Sequence, residues 1–388
     1  MKITAVKGIP LRCSCAPISD ALSTSKGRQA LLVKIETDTE IYGIGEAFTY
    51  GAPLAVMKMI VEDQLGSMLI GCDAEKTEEL WNRMYWRTLA HGRRSLTMGA
   101  ISGIDIALWD IMGKVAHRPI YKMLGEQSKK IPSYASGGFY AEGKNLDGLK
   151  REIEGYVKKG YCDVKIKIGR NLDRPGPLHY MENRENHVSV EEDFKRIEAA
   201  KTIIGNGRLA VDANASWDAE RAVSVGKELS RLGVCWLEEP IPFEDLEGLK
   251  YVTEALPDIQ VIGCETQQGL GNFRTMMEMG SLDIVQPDVG WAGGITECFK
   301  IGKLAGNKGR KISLHCFGSA VLFAASLQLA AALENTEAIE SEENPNPLKT
   351  DILKGSFETD EKMSFYVPRG DGLGIDLDWT SLEKYTII

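Results

Sequence analysis

The chain has no excess of basic residues, no long apolar run and no cysteine motif, and each absence removes a class of function. With 46 Lys and Arg against 55 Asp and Glu, its formal charge is −9. A nucleic-acid or anionic-membrane partner calls for the opposite sign. A small anionic substrate is not excluded, because a metal and a few lysines reverse the local field inside a cleft. The most apolar stretch, Ala320 to Leu333, is too short to span a bilayer and contains Ser326 and Gln328. The opening MKITAVKGIP lacks the apolar core of a secretion signal, so a cytoplasmic location is expected. The eight cysteines are scattered, without CxxC or zinc-type spacing, and read as structural thiols in a reducing compartment. No GxGxxG opens a helix after the first strand, which removes a dinucleotide-binding fold.

What remains is a 388-residue chain, comfortable for two domains. The first 45 residues alternate in three strand-like runs, KITAVKGIPL, ALLVKIETD and IYGIGEA, which predict an antiparallel meander. Between the first two lies SCAPISDALSTSKGR, read as a polar lid loop, and FTYGAP at 48–53 is read as a second loop. From Leu54 to Leu124 the pattern is helical; Asp105 and Asp110 there read as packing or capping groups. This predicts an α+β domain over residues 1–130, completed by the small tail at 345–388.

From Ile131 the rhythm changes. IPSYAS, DVKIKIG, RLAVDAN, VCWLEEP, VIGCE, LDIVQPD, KISLHCF and EAIES are eight apolar runs separated mostly by amphipathic helical segments. A strand–helix period of about 25 residues indicates βα units on a parallel sheet, and eight of them indicate a barrel over residues 131–344. The stretch RNLDRPGPLHYMENRENHVSV reads as a surface insertion, with a flap over the barrel mouth or an oligomer contact as the sharper alternative. Its His179 and His187 read as solvated.

Three runs end on carboxylates, Asp212, Glu238 and Glu265, spaced by 26 and 27 residues. Strand ends of a parallel barrel meet at one face, and three acids gathered there repel unless a cation sits between them. An all-oxygen set suits Mg²⁺. Lys165 and Lys167 share one face of their strand by its period of two. Proximity of two ammonium groups and a metal would depress a lysine pKa and make a base near neutral pH. Asp288 and His315 end the two strands after Glu265, where the carboxylate would fix the imidazole tautomer. Glu340 ends the eighth run, free to bond a substrate carboxylate if protonated or to stay solvated. Asn214 shares the face of Asp212, and Glu239 reads as a supporting or capping group.

KIKIG, VDAN, WLEEP, the CE of VIGCE, QPDVGWAGG and SLH, in this order and spacing, resemble the mandelate racemase subgroup of the enolase superfamily. The resemblance spans nearly the whole chain, with SGIDIALWDIMGK in the N-terminal part and GLGI near the end. It implies an α/β protein, a (β/α)7β modified TIM barrel with an α+β capping domain. It implies Mg²⁺ on Asp212, Glu238 and Glu265, with Lys167 as one acid/base and Lys165 as its electrostatic partner. The Asp288–His315 dyad would be the other acid/base, Glu340 would stabilise the intermediate, and the loops at 14–28 and 48–53 would be specificity lids.

The activity implied is removal of the proton α to a carboxylate, by Lys167 or His315, with β-elimination or reprotonation to follow. QPDVGWAGG, HCFG and DGLGI look closest to the sugar-acid members, of the galactarolactone and anhydro-galactonate cycloisomerase kind. The expected substrate is an aldonate, aldarate or lactone, turned over by a homo-oligomeric dehydratase or cycloisomerase. A hydroxy-acid racemase or epimerase is the enzyme alternative. A sugar-acid binding protein without catalysis is the remote one.

Overall fold

The structure is a computed structural model and describes residues 1–171 and 186–387. The insertion expected to form a flap or oligomer contact, His179 included, lies mostly outside the described residues; His187 is described and exposed.

The meander is present as β1 (Ile3–Ser19), β2 (Thr24–Thr37) and β3 (Tyr42–Ala47), antiparallel in that order. Its strands run further than polarity suggests. The expected loop at 14–28 is the end of one long hairpin, with only Asp20–Ser23 turning between the strands. Ser19 Oγ meets Thr24 Oγ1 at 2.8 Å across it, and Asp20 accepts from the amides of Leu22 and Ser23. The polar residues misled because this extension packs over the barrel mouth instead of an apolar core. Ser19 and Tyr140 exchange backbone bonds of 2.7 and 2.9 Å, and Arg170 Nη1 donates to Asp20 O at 2.6 Å.

Behind the sheet lie α1 (Leu54–Met59), α2 (Thr77–Gly92), α3 (Leu96–Ala116) and α4 (Ile120–Leu124). Ser95 caps α3 by accepting from Thr97 N. The helix is long and apolar enough to cross a bilayer, yet 83 % of its apolar window is buried inside the fold. It lies almost against the backbone of β3: a Cβ on Gly45 would come within 2.0 Å of Gly103 O. Gly43 and Gly45 in IYGIGEA are therefore the condition for this contact.

A short β4 (Lys130–Ile131) leads into the barrel strands β5 (Ser133–Gly137), β6 (Val164–Lys167), β7 (Leu209–Asp212) and β8 (Val234–Glu238). They continue as β9 (Gln260–Gly263), β10 (Ile284–Val285), β11 (Lys311–Leu314) and β12 (Thr336–Glu342), and β12 pairs with β5 to close the barrel. The intervening helices are α5 (Leu146–Lys159), α6 (Val190–Ile204), α7 (Ala219–Arg231), α8 (Leu246–Ala255), α9 (Leu270–Met279), α10 (Gly294–Asn307) and α11 (Ala320–Ala330). This is the expected (β/α)7β order. The tail adds α12 (Pro347–Thr350), β13 (Phe365–Tyr366) paired with β4, and α13 (Trp379–Glu383).

Two carboxylates of the N-terminal part hold barrel helices by their first turns. Glu46 accepts from Ser319 N, Ser319 Oγ and Leu322 N at the start of α11. Asp105 accepts from Thr296 N at 2.9 Å and Oγ1 at 2.6 Å at the start of α10. Asp110 accepts from the amides of Ile44 and Leu373. Asp105 thus caps a barrel helix and Asp110 ties β3 and the tail to α3, the capping and packing roles their pattern suggests.

Candidate active site

Inside the barrel, Tyr134, Ala210, Trp236, Ile262, Ile284 and Ala338 form a buried apolar layer. Above it the strand ends carry charge. Register places Lys167 beside Asp212 and Asp212 beside Glu238 on β6, β7 and β8. Glu265 follows β9, Asp288 follows β10, and His315 follows β11 with a bridge back to Asp288. Non-glycine residues with positive φ gather at these ends: Asn214, Ala215, Glu239 and Cys264. Such backbone clusters where a site over-determines it.

The structure brings together all eight side chains picked from the sequence. One oxygen each of Asp212, Glu238 and Glu265 lie within 4.8 Å of one another, and all three residues are buried. A buried, all-oxygen set of this size fits a hard divalent cation. The lysines reach the same oxygens. Lys165 Nζ bonds Glu238 Oε1 and sits 2.8 Å from Glu340 Oε1, and Lys167 Nζ bonds Asp212 Oδ2. Gln286 Nε2 donates to the other oxygen of Glu238 at 3.0 Å, and Asn214 N donates to Asp212 Oδ1 at 2.8 Å.

Opposite, His315 Nδ1 and Asp288 Oδ2 are 2.6 Å apart, while Gly290 N donates to Asp288 Oδ1. His315 Nε2 is 3.4 Å from Glu265 and 3.8 Å from Glu340. Tyr50 stacks on the imidazole at 6.0 Å and 15°, and its hydroxyl donates to Glu265 O at 2.7 Å. Glu239 accepts from the amides of Cys264 and Glu265, which makes it the support expected of it.

Protonation follows from this crowding. Burial pushes Glu238 up to about 8 against the pull of Lys165. Burial would lower His315, but Glu265, Glu340 and Asp288 outweigh it and raise the imidazole to about 10. Among the protein groups alone, burial lowers both lysine pKa values, and Lys165 adds to this at Lys167, yet the carboxylates prevail and both are raised. One expectation is corrected. Glu340 is neither protonated nor solvated: burial is overcome by Lys165 and His315, and its carboxyl is held well below the usual range.

These groups open on a cavity of about 520 Å³ roofed by the hairpin and by Phe48–Gly51, with Lys167, Asn214, Glu265, His315 and Glu340 on its floor. Asn214 Oδ1 is buried there without a hydrogen-bond partner among the described residues. Sequence reasoning missed Gln286, Tyr50 and Arg28. Gln286 was within reach of the period-two argument, being two residues before Asp288 at a strand end. Tyr50 and Arg28 lie within the two segments expected to be lids, 48–53 and 14–28, but nothing in the local pattern singles out either residue.

Residues 3–125 match the mandelate racemase / muconate lactonizing enzyme N-terminal domain, and residues 148–381 match the enolase C-terminal domain-like family. The chain is 37 % identical over 358 residues to arabinonate dehydratase of Saccharolobus solfataricus, covering 92 % of this chain and 90 % of the relative. It is 32 % identical to D-galactarolactone cycloisomerase of Agrobacterium fabrum over 99 % of both chains. Among solved structures, a racemase from Streptomyces coelicolor with bound magnesium superposes with TM-score 0.88 at 25 % identity, covering 99 % of this chain and all of the other. The two matched domains, the barrel and the acidic centre identify the chain as a member of the mandelate racemase/muconate lactonizing enzyme family of the enolase superfamily.

Proposed function

We propose that this protein removes the proton α to the carboxylate of a sugar acid or its lactone, with Mg²⁺, and then eliminates a β-oxygen substituent. The observation that carries the reading is that Lys167 and His315 approach one cavity from two sides of a buried acidic centre. Asp212, Glu238 and Glu265 would hold the cation, which when bound supplies charge stabilisation to the substrate carboxylate.

The chain's own groups account for the rest. The Lys165 ammonium sits between Glu238 and Glu340, where its charge is available to a developing enediolate. Lys167 Nζ takes or returns a proton from one side. Asp288 occupies His315 Nδ1, so Nε2 is the atom that exchanges a proton on the other. Removal on one side and acid assistance to the leaving oxygen on the other is a dehydratase or cycloisomerase sequence. The names of the relatives, arabinonate dehydratase and D-galactarolactone cycloisomerase, support that class. The same two-sided placement also suits 1,1-proton transfer, so epimerisation is the second reading.

The reading includes a cytoplasmic homo-oligomer with a small anionic substrate and neither nucleic-acid nor membrane partner. It divides the chain into a cap of residues 1–130 completed by 345–388 and a catalytic barrel of 131–344. The bonds from Arg12 N to Tyr385 O and from Ile387 N to Pro10 O support that completion.

The test is proton NMR in D₂O with Mg²⁺ and a panel of aldonates, aldarates and lactones. Keto-deoxy signals mean elimination. Deuteration with inversion at the α-carbon means epimerisation. Silence throughout sinks both.

A further inference from the structure

One buried ion pair joins the hairpin to the barrel inside the reaction cavity, and sugar-acid chemistry on the floor does not use it. Arg28 Nη2 of β2 meets Glu342 Oε1 of β12 at 2.7 Å, with side chains only 4 % and 2 % exposed. Glu342 stands two residues beyond Glu340, so both project from the same side of β12, about 6.6 Å apart along the strand. That rise is of the order of a short sugar-acid chain. Arg28 therefore lies one step above the reacting groups.

The wall between the two levels is aromatic. Lys167 Nζ sits 5.0 Å from the Phe139 ring centroid, Phe139 and Phe317 are 5.9 Å apart, and the Arg28 guanidinium covers Phe317 at 4.9 Å. Such a strip suits the C–H face of a sugar chain running from Lys167 towards Arg28. At the upper end Arg28 Nη1 donates to Gly27 O and Nη2 to Glu342, while Nε is enclosed with no acceptor among the described residues. Arg28 itself lines the cavity, which brings a donor-rich side chain to a ligand oxygen at this level.

Resting on the reading above, we propose that Arg28 is the specificity-determining residue for the end of the substrate away from the reacting carboxylate. We assign it an uncharged oxygen: the distal hydroxyl of an aldonate or the ring of a lactone, not the second carboxylate of an aldarate. The reason is charge. Glu342 already neutralises the guanidinium in a site shielded from water, and a second carboxylate there would face the first. Arg12 and Lys26 also line the cavity but are exposed at its rim, where solvent screens them.

The experiment measures α-deuterium exchange in D₂O with Mg²⁺ for aldonates, their lactones and the aldarates of matching configuration. The parent is expected to favour aldonates or lactones at least tenfold in kcat/KM. Arg28→Gln should lose at least tenfold, mostly through KM. Glu342→Gln, which frees the guanidinium charge, should move the ratio at least tenfold towards aldarates. Because breaking a buried pair can unfold the chain, the double variant Arg28→Gln/Glu342→Gln, neutral on both sides, is measured too and should show the same loss as Arg28→Gln. An aldarate preference in the parent, or parent-like KM in folded Arg28 variants, overturns this assignment alone. Absence of exchange with every acid overturns the proposed function, and this assignment with it.

Discussion

Asp288 Oδ2 and His315 Nδ1 lie 2.6 Å apart across neighbouring strand ends, with the second oxygen of Asp288 bound by Gly290 N. The carboxylate is committed on both oxygens, so the imidazole is oriented by groups that do not themselves face substrate. Nε2 is left towards Glu265 and Glu340.

Asp288→Asn should keep the shape and lose the charge that orders the imidazole. Proton exchange at the substrate α-carbon should fall by about 10²-fold or more, as for other histidines that lose their orienting carboxylate. NMR titration of His315 should show a lowered pKa in the variant. An unchanged exchange rate would remove Asp288 from the reaction.

Lys167→Ala should abolish exchange from its side of the site while leaving the barrel folded when Mg²⁺ is present. In chelator-treated protein it leaves Asp212 buried without its ammonium partner, a defect of about 3–5 kcal/mol. Thermal unfolding with and without Mg²⁺ checks this. The variant should gain more from the metal than the parent does.

Asp105 should give the fold a pH dependence. Burial is the main cause that raises its carboxyl to about 7 from an ordinary 3.8. Over that window the folded chain holds a proton that the unfolded chain has released, so stability falls as pH rises from about 4 to 7. The change is a few kcal/mol at most, at about 1.4 kcal/mol per unit. In Asp105→Asn, whose amide can still pair with Thr296 N and Oγ1, the difference in Tm from the parent should shift in the variant's favour as pH rises. A constant difference between pH 4 and 8 would contradict the assignment.

Gly45→Ala places a methyl within 2.0 Å of Gly103 O, which is backbone and cannot turn aside. Overpacking of this kind costs about 1–3 kcal/mol and sometimes more. Urea unfolding should show a lower midpoint; a parent-like midpoint would mean that α3 shifts freely on the sheet.

Much of the site was legible because its residues obey local rules. Asp212, Glu238, Glu265 and His315 end apolar runs, and the spacing of those runs is that of βα units. Lys165 and Lys167 follow from the two-residue period of a strand. Glu340 was found as the end of the eighth apolar run, but its ionisation was not, since that depends on Lys165 from another strand. The hairpin at 14–28 was misjudged for a related reason. Ser, Thr and Cys look like loop when the partner surface is unknown, and they pair as strand when that surface is a polar barrel mouth.

The order of strands and helices and the carboxylates and lysines of the floor are written in the sequence, because each depends on periodicity within one element. Only the tertiary structure decided which charges meet: that Glu239 supports the loop of Glu265, that Tyr50 covers His315, and that Arg28 crosses from the hairpin to Glu342. Those contacts join residues up to 314 positions apart. No local pattern encodes them, since they arise only when the barrel closes and the hairpin lies across its mouth.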